Sequence, residues 1–247
     1  MKITLLGTGD TTGVPVIGCH CPTCTDAYSN DKNKRTRFSI LVESDSGKIL
    51  IDTSPDMKWQ LIANDVSGVD GVIWTHGHYD HFAGFPEFYR VQKKVDVYGV
   101  PETLDYIMDY FHFLKPRRHD VQLYEPFELI GLTFVLFEVN HLPIKKAVGV
   151  MVCEGDKKVV ITGDTNKDVP QKSMDLIHEP SLLVVDAIVP PSITSIKKHM
   201  NATQALDFSE KIKSEEVVFV HMSHFFKPHD EESKNYPLGY DGMKFEI

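Results

Sequence analysis

The chain has 247 residues, 42% of them hydrophobic and 25% charged, and a formal net charge of −9. That length is ample for a buried core, and the acidity sets the surface as a whole against nucleic acid and anionic membranes. No segment approaches the roughly 20 apolar residues of a membrane span, and the opening MKITLLGTGDTTG lacks the apolar run of roughly 7–15 residues found in a secretory signal, so a cytoplasmic protein with reduced thiols is expected.

Residues 2–6 (KITLL) read as a strand entering GTGDTTGVP. The glycines are spaced GxGxxxG rather than GxGxxG, and Val14-Pro15 stand where a helix would open. A turn closing a strand is therefore expected, not a dinucleotide-binding loop. GCHCPTC (18–24) follows, with Cys19, Cys21 and Cys24 packed together. Three thiols cannot all pair as disulfides, and they fall one ligand short of a closed tetrahedral zinc site.

FSILVES (38–44) and KILIDTS (48–54) read as a hairpin around Asp45-Ser46-Gly47. MKWQLIAND (57–65) reads as a short amphipathic helix, GVIWT (71–75) and VDVYGV (95–100) as strands, and PETLDYIMDYFHFL (101–114) as a helix with proline in its first turn. LTFVLFEVN (132–140) is a strand leading to His141. AVGVMVCE (147–154) and KVVITGD (158–164) make a second hairpin, and SLLVVDAIV (181–189) is a strand. NATQALDFSEKIKS (201–214) is a helix capped by Asn201 or Thr203, and EVVFVHMSH (216–224) is the last long strand. Two strand-rich halves with interleaved helices predict an α+β sandwich of two sheets with helices on the outer faces. With no linker, low-complexity segment or fixed repeat, one domain over 1–247 is expected.

THGHYDH (75–81) carries the chemistry. His76, His78, Asp80 and His81 form H-x-H-x-D-H directly after an apolar strand. Histidines used for packing are not this dense, and imidazole with carboxylate suits zinc, manganese or iron. His76 and His78 can face one metal while Asp80 and His81 turn to a second. His141, Asp164 and His221 each follow an apolar strand. Singly they have bland readings as a loop histidine, a turn former and a core residue; strand ends on one rim would bring them to the cluster. Gly163 gives the backbone freedom before Asp164. Asp186 closes a strand and is a candidate to orient a ligand histidine, with packing or capping as the alternative.

This set resembles the metallo-β-lactamase superfamily of αββα hydrolases, with two mixed sheets face to face and helices outside, over essentially the whole chain. GTGDTTGVP, GCHCPTC, HMSH and YDGM resemble a narrower branch that includes phosphoribosyl 1,2-cyclic phosphate phosphodiesterases of the carbon–phosphorus lyase pathway and proteins related to pyrroloquinoline quinone assembly. The resemblance implies that His76, His78 and His141 hold one divalent ion and Asp80, His81 and His221 a second. Asp164 would bridge them, and a hydroxide between the ions would attack phosphorus. It places His199, in KKHMNATQA, as the catalytic histidine beside Asp80 and Asp164, and implies a structural zinc on Cys19, Cys21, Cys24 and His224. Cys153 in a strand and His20 within the loop are weaker fourth ligands. A redox role for Cys21 and Cys24 would need a helix start to lower the thiol pKa, and no βαβ unit surrounds the pair.

A small phosphorylated substrate, zinc or manganese (or iron) in the catalytic site, and a homodimer are the further implications. Transfer-RNA 3′-end processing needs a basic arm, for which Lys93-Lys94 and Arg117-Arg118 are too few. Thioester or lactam hydrolysis and non-catalytic cofactor binding use the same fold. The specificity pocket is expected from segment 82–120, with Phe85, Tyr89, Tyr110, Phe111 and Phe113 as wall candidates or as core.

Overall fold

The strands alternate between two burial environments. In β2 (Ser39–Ser44), Ile40 and Val42 enter one cluster and Leu41 another; in β3 (Gly47–Ile51), Ile49 and Ile51 face one way and Leu50 the other. Both faces are buried, so these strands read as continuous apolar runs instead of alternating ones. The computed structural model describes residues 1–92, 94–144 and 146–247; Lys93 of the Lys93-Lys94 pair lies outside the described residues.

The remaining elements, in chain order, are β1 (Lys2–Gly7) and α1 (Pro22–Asp26) before β2, and then, after β3, α2 (Met57–Ala63), β4 (Gly71–Ile73), α3 (Tyr79–Phe82), β5 (Asp96–Gly99), α4 (Pro101–Tyr110), β6 (Arg117–Asp120), β7 (Pro126–Leu129), β8 (Leu132–Glu138), β9 (Val148–Glu154), β10 (Lys157–Ile161), α5 (Gln171–Leu176), β11 (Leu182–Asp186), α6 (Ala202–Ile212), β12 (Glu216–Val220), α7 (His229–Glu232) and β13 (Lys244–Glu246). One sheet has the order β13-β1-β2-β3-β4-β5-β6 and the other β12-β11-β10-β9-β8-β7. Each is mixed: β1, β2 and β3 pair antiparallel and β3 to β6 parallel, while β10 to β12 pair parallel and β7 to β10 antiparallel.

Three apolar clusters stack in layers. Ile3, Ile40, Ile49 and Ile73 of the first sheet meet Phe134, Val150, Ile161, Val184 and Val220 of the second. Outside the first sheet, Met57 and Leu61 of α2 and Leu104 and Ile107 of α4 pack with Leu50, Val72 and Trp74. Outside the second, Met174 of α5 and Ala205, Phe208 and Ile212 of α6 pack with Val160, Val185 and Phe219. The result is the αββα sandwich expected from the sequence.

Several boundaries differ from the sequence reading. The strand expected over 48–54 stops at Ile51, because Asp52 takes φ +59°; the strand expected over 216–224 stops at Val220, because His221 takes φ +58°. The helix expected over 101–114 ends at Tyr110, where Phe111 leaves helical geometry at ψ 42°. The short elements α1, α3, α5, α7, β6, β7 and β13 lacked a strong apolar period. Asn201, not Thr203, caps α6: its side chain accepts from Gln204 N, and Gln204 Oε1 accepts from Asn201 N, both at 3.0 Å. This box also fixes the chain just upstream, where Met200 is fully buried and His199 precedes it. No helix among the described residues is long and apolar enough to cross a membrane.

Candidate metal centre

The carboxyl ends of the strands determine where the site lies. β3, β4, β8, β10, β11 and β12 each deliver a polar residue just past, or at, the carboxyl end: Asp52, His76, His141, Asp164, Asp186 and His221. Ligands in sheets of this kind gather at strand carboxyl ends. Gly163 takes φ +58°, a left-handed conformation that suits glycine, and the turn there directs Asp164 inward. The helical turn α3 presents Asp80 and His81 together, both buried.

Asp164 joins two donor sets. Its Oδ2 lies 3.6 Å from His76 Nε2 and 3.6 Å from His141 Nε2. Its Oδ1 lies 3.3 Å from His81 Nε2 and 3.4 Å from His221 Nε2. His78 Nδ1 is 3.0 Å from both His76 Nε2 and His141 Nε2. Asp80 Oδ2 is 3.6 Å from His81 Nε2 and 3.7 Å from His221 Nε2. Ligands about 2.0–2.3 Å from a tetrahedral ion stand about 3.3–3.8 Å apart, the spacing most of these pairs show.

The hydrogen-bond inventory makes the same case. His81 Nδ1 donates to Asp52 Oδ2 at 2.6 Å and His141 Nδ1 to the Lys198 carbonyl at 3.2 Å. Thr75 Oγ1 donates to Asp52 Oδ2 at 2.7 Å and so accepts from His76 Nδ1 at 3.0 Å. With these protons committed outward, the Nε2 lone pairs of His76 and His141 face Asp164 Oδ2 and that of His81 faces Asp164 Oδ1. His81 Nε2, His221 Nε2 and Asp164 Oδ1 are buried without any hydrogen-bond partner among the described residues. Buried lone pairs facing one another are unfavourable unless a cation is shared between them, so the donor chemistry fits divalent ions. Burial, reinforced by His81, holds His76 well below the usual imidazole range, and burial brings His141 down to about 4. Burial works against charge on His221 too, yet Asp164 and Asp80 outweigh it and raise the group to about 9.

Asp52 and Thr75 were missed by the sequence reading. Asp52 was absorbed into a strand, although it follows KILI just as Asp164 follows KVVITG. Its two oxygens serve three donors, Thr75 N (2.8 Å), Thr75 Oγ1 and His81 Nδ1. In Asp52→Asn one of those donors meets an NH₂ group. Metal affinity is expected to fall about 10–100-fold; titration with a metallochromic competitor measures it, and wild-type affinity would show that Asp52 does not orient the site.

His199 lies beside the two sets. Its Nδ1 donates to Asp186 Oδ2 at 2.7 Å, and its ring stacks on His221 with centroids 5.0 Å apart and meets His141 edge-on at 4.8 Å. Burial opposes charge on His199, but Asp186 overcomes it and the pKa rises. Asp186 is fully buried and is itself held by Thr165 N at 3.0 Å.

The cysteine loop meets the other end of the chain. Cys19, Cys21 and Cys24 Sγ lie 3.3, 3.6 and 3.6 Å from His224 Nδ1. Cys153 sits in β9 and His20 is exposed; neither belongs to this cluster. A short helix starts here: Cys21 caps α1, and its sulfur accepts from Cys24 N at 3.4 Å. Val16 N donates to Cys24 Sγ at 3.3 Å and Thr23 Oγ1 to the Phe226 carbonyl. Three soft thiol sulfurs about an imidazole nitrogen, at spacings a tetrahedral ion would bridge, fit zinc. Cys24→Ser is expected to cost about 3–5 kcal/mol, like the loss of a native disulfide, and to lower Tm by about 10 °C in a chain of this size. Thermal unfolding and zinc content measure it; an unchanged Tm with unchanged zinc would rule the cluster out as a structural site.

The family model described as "Beta-lactamase superfamily domain" matches residues 48–222. The chain belongs to the metallo-β-lactamase superfamily. Its fold is that of the superfamily's metal-dependent hydrolases. A diphosphatase from the PhnP family superimposes with a TM-score of 0.89 at 28% identity, over 100% of this chain and 97% of that one. Zn(2+)-bound PqqB from Methylobacterium extorquens superimposes with a TM-score of 0.86 at 22% identity, over 100% of both chains, a likeness of fold. The octanoyltransferase of Porphyromonas gingivalis is 31% identical over 99% of this chain and 51% of that protein. The chain spans about half the length of the curated relatives it matches.

Arg117 and Arg118 are tied up locally: Arg117 Nε donates to Asp96 at 2.8 Å, and Arg118 pairs with Asp105 and Asp120. Of the aromatic residues expected to line a specificity pocket, Phe85 and Phe111 are buried in the outer core. Phe85, Tyr89 and Phe113 border a hollow of about 570 Å³ together with Arg90 and Lys115; none of these residues belongs to the donor sets.

Proposed function

We propose that the chain hydrolyses phosphodiesters, and within that class a small sugar cyclic phosphate of the phosphoribosyl 1,2-cyclic phosphate type. The observation that carries this reading is the Asp186–His199 pair set against both donor sets, with the His199 ring held by Nδ1 between His141 and His221. His76, His78, His141 and Asp164 would hold one divalent ion; Asp80, His81, His221 and Asp164 would hold the other. Bound there, zinc or manganese supplies Lewis-acid stabilisation of phosphoryl oxygens and lowers the pKa of water. Asp186 holds the His199 ring by Nδ1, which leaves Nε2 as the atom that gives a proton to the departing sugar oxygen. Asp52 fixes the His81 ring, and Thr75 relays the same carboxylate to His76. Similarity to the PhnP-family diphosphatase supports phosphorus as the reacting atom.

The test is turnover of bis(p-nitrophenyl) phosphate and of ribose 1,2-cyclic phosphate 5-phosphate by the metal-loaded protein. Cleavage of both supports the reading, and a metal-replete protein that cleaves neither ends it. The second reading is acyl-thioester hydrolysis, favoured by alignment of nearly the whole chain with half of a protein named octanoyltransferase; octanoyl-thioester turnover without phosphodiester turnover would establish it. Transfer-RNA processing is opposed by the net charge of −9 and by the local pairing of Arg117 and Arg118. Pure cofactor binding leaves the His199–Asp186 pair without a task.

A further inference from the structure

The hollow of about 570 Å³ bordered by Phe85, Tyr89 and Phe113 lies at the opposite end of the first sheet from the metal centre. Its lining includes Lys94 and Val95, just before β5, and Lys115 and Pro116, just before β6. β3 to β6 run parallel, so these residues stand at the amino ends of the strands, whereas His76 and the other donors gather at carboxyl ends. The volume is typical of a small-molecule site.

The floor is apolar and the rim is positive. Phe85, Phe88 and Val95 are buried in the outer cluster beneath the hollow, while Tyr89 and Phe113 are each 63% exposed at its mouth. Arg90, Lys94 and Lys115 complete the lining, and none of them makes an ion pair among the described residues. Asp96, the carboxylate next along the chain from Lys94, is occupied: Arg117 and His119 both pair with it. Three unpaired cations in a chain of net charge −9 leave a local positive potential over an apolar basin. The wall that carries Arg90 is built in advance. Val91 N and Gln92 N both donate to the Phe88 carbonyl at 3.0 Å, and the Gln92 side chain accepts from Val69 N at 3.1 Å and donates to the Val69 carbonyl at 2.6 Å. Arg90 itself takes φ +68°, a conformation that an arginine keeps only where its surroundings impose it.

We infer that the hollow binds a fatty carboxylate, with the alkyl chain on Phe85, Phe88 and Val95 and the carboxylate among Arg90, Lys94 and Lys115. An uncharged apolar ligand would leave the three cations unused, and a small anion without a tail would leave the apolar floor wet. Shape argues against a membrane surface, because insertion needs apolar side chains that project, and the floor of this hollow is recessed. The site stands apart from the phosphodiester reading, since no metal donor lines it.

The experiment is calorimetric titration of the metal-loaded protein with hexanoate, octanoate and decanoate, and with decyltrimethylammonium as a tail of opposite charge, all below micelle-forming concentrations. Affinity is expected to rise about 10-fold for each two-carbon step, as burial of methylenes requires. Decyltrimethylammonium is expected to bind at least about 10-fold more weakly than decanoate. Phe113→Asp at the mouth, and Lys94→Glu combined with Lys115→Glu at the rim, are each expected to weaken decanoate about 10-fold. All three side chains are exposed, so Tm and metal content should stay at the wild-type values. Decanoate binding that survives both variants would lie elsewhere, the metals included, and overturns the site. Equal affinity for the two decyl compounds reduces the hollow to an apolar patch and overturns the carboxylate. Failure to bind decanoate, with or without association with phosphatidylglycerol vesicles, overturns the inference outright.

Discussion

Asp164→Asn is expected to lower phosphodiester turnover by on the order of 10³-fold, because the metal-derived stabilisation at stake is several kcal/mol and each 1.4 kcal/mol is tenfold. The geometry explains why an isosteric change is so damaging. Oδ2 faces His76 and His141, and Oδ1 faces His81 and His221. An asparagine keeps one oxygen and turns an NH₂ toward the other set, where it meets nitrogen lone pairs with no carboxylate charge. One donor set is thereby crippled whichever way the amide settles. Metal analysis should show bound metal in the centre falling by about half, with the zinc on the cysteine cluster retained. A variant with a full metal complement and wild-type kcat would show that Asp164 does not join the two sets.

Apart from THGHYDH, legible through its density of donors, the centre's ligand candidates share one trait: each is a polar residue directly after an apolar run. His141, Asp164 and His221 could be singled out because LTFVLFEVN, KVVITG and EVVFV are unmistakably buried strands, and buried strands end at a rim. Asp52 obeys the same rule but was hidden. Continuous burial on both faces removes the alternation that marks a strand end, and its positive φ has no sequence signature in an Ile-Asp-Thr stretch. The two-layer sheet core was legible for the same reason. The connecting elements α1, α3, β6 and β13 were not, since each has few residues and depends on tertiary contacts rather than on propensity.

His199→Ala is expected to reveal its role through the leaving group. A histidine that delivers a proton contributes about 10²–10⁴-fold when the departing oxygen is a poor leaving group. A sugar alkoxide is one, so ribose 1,2-cyclic phosphate 5-phosphate should lose turnover on that scale. p-Nitrophenolate departs without protonation, so bis(p-nitrophenyl) phosphate should lose less than about tenfold. Asp186→Asn should show the same pattern more weakly, because it disturbs the hydrogen bond that holds His199 Nδ1 at 2.7 Å without removing the ring. The contrast separates proton delivery from support of the donor sets. His199 stacks on His221 and meets His141 edge-on, so a purely packing role would disturb metal binding and depress both substrates equally. Equal losses, accompanied by reduced metal content, would therefore assign His199 to positioning and leave the leaving group to be protonated by water.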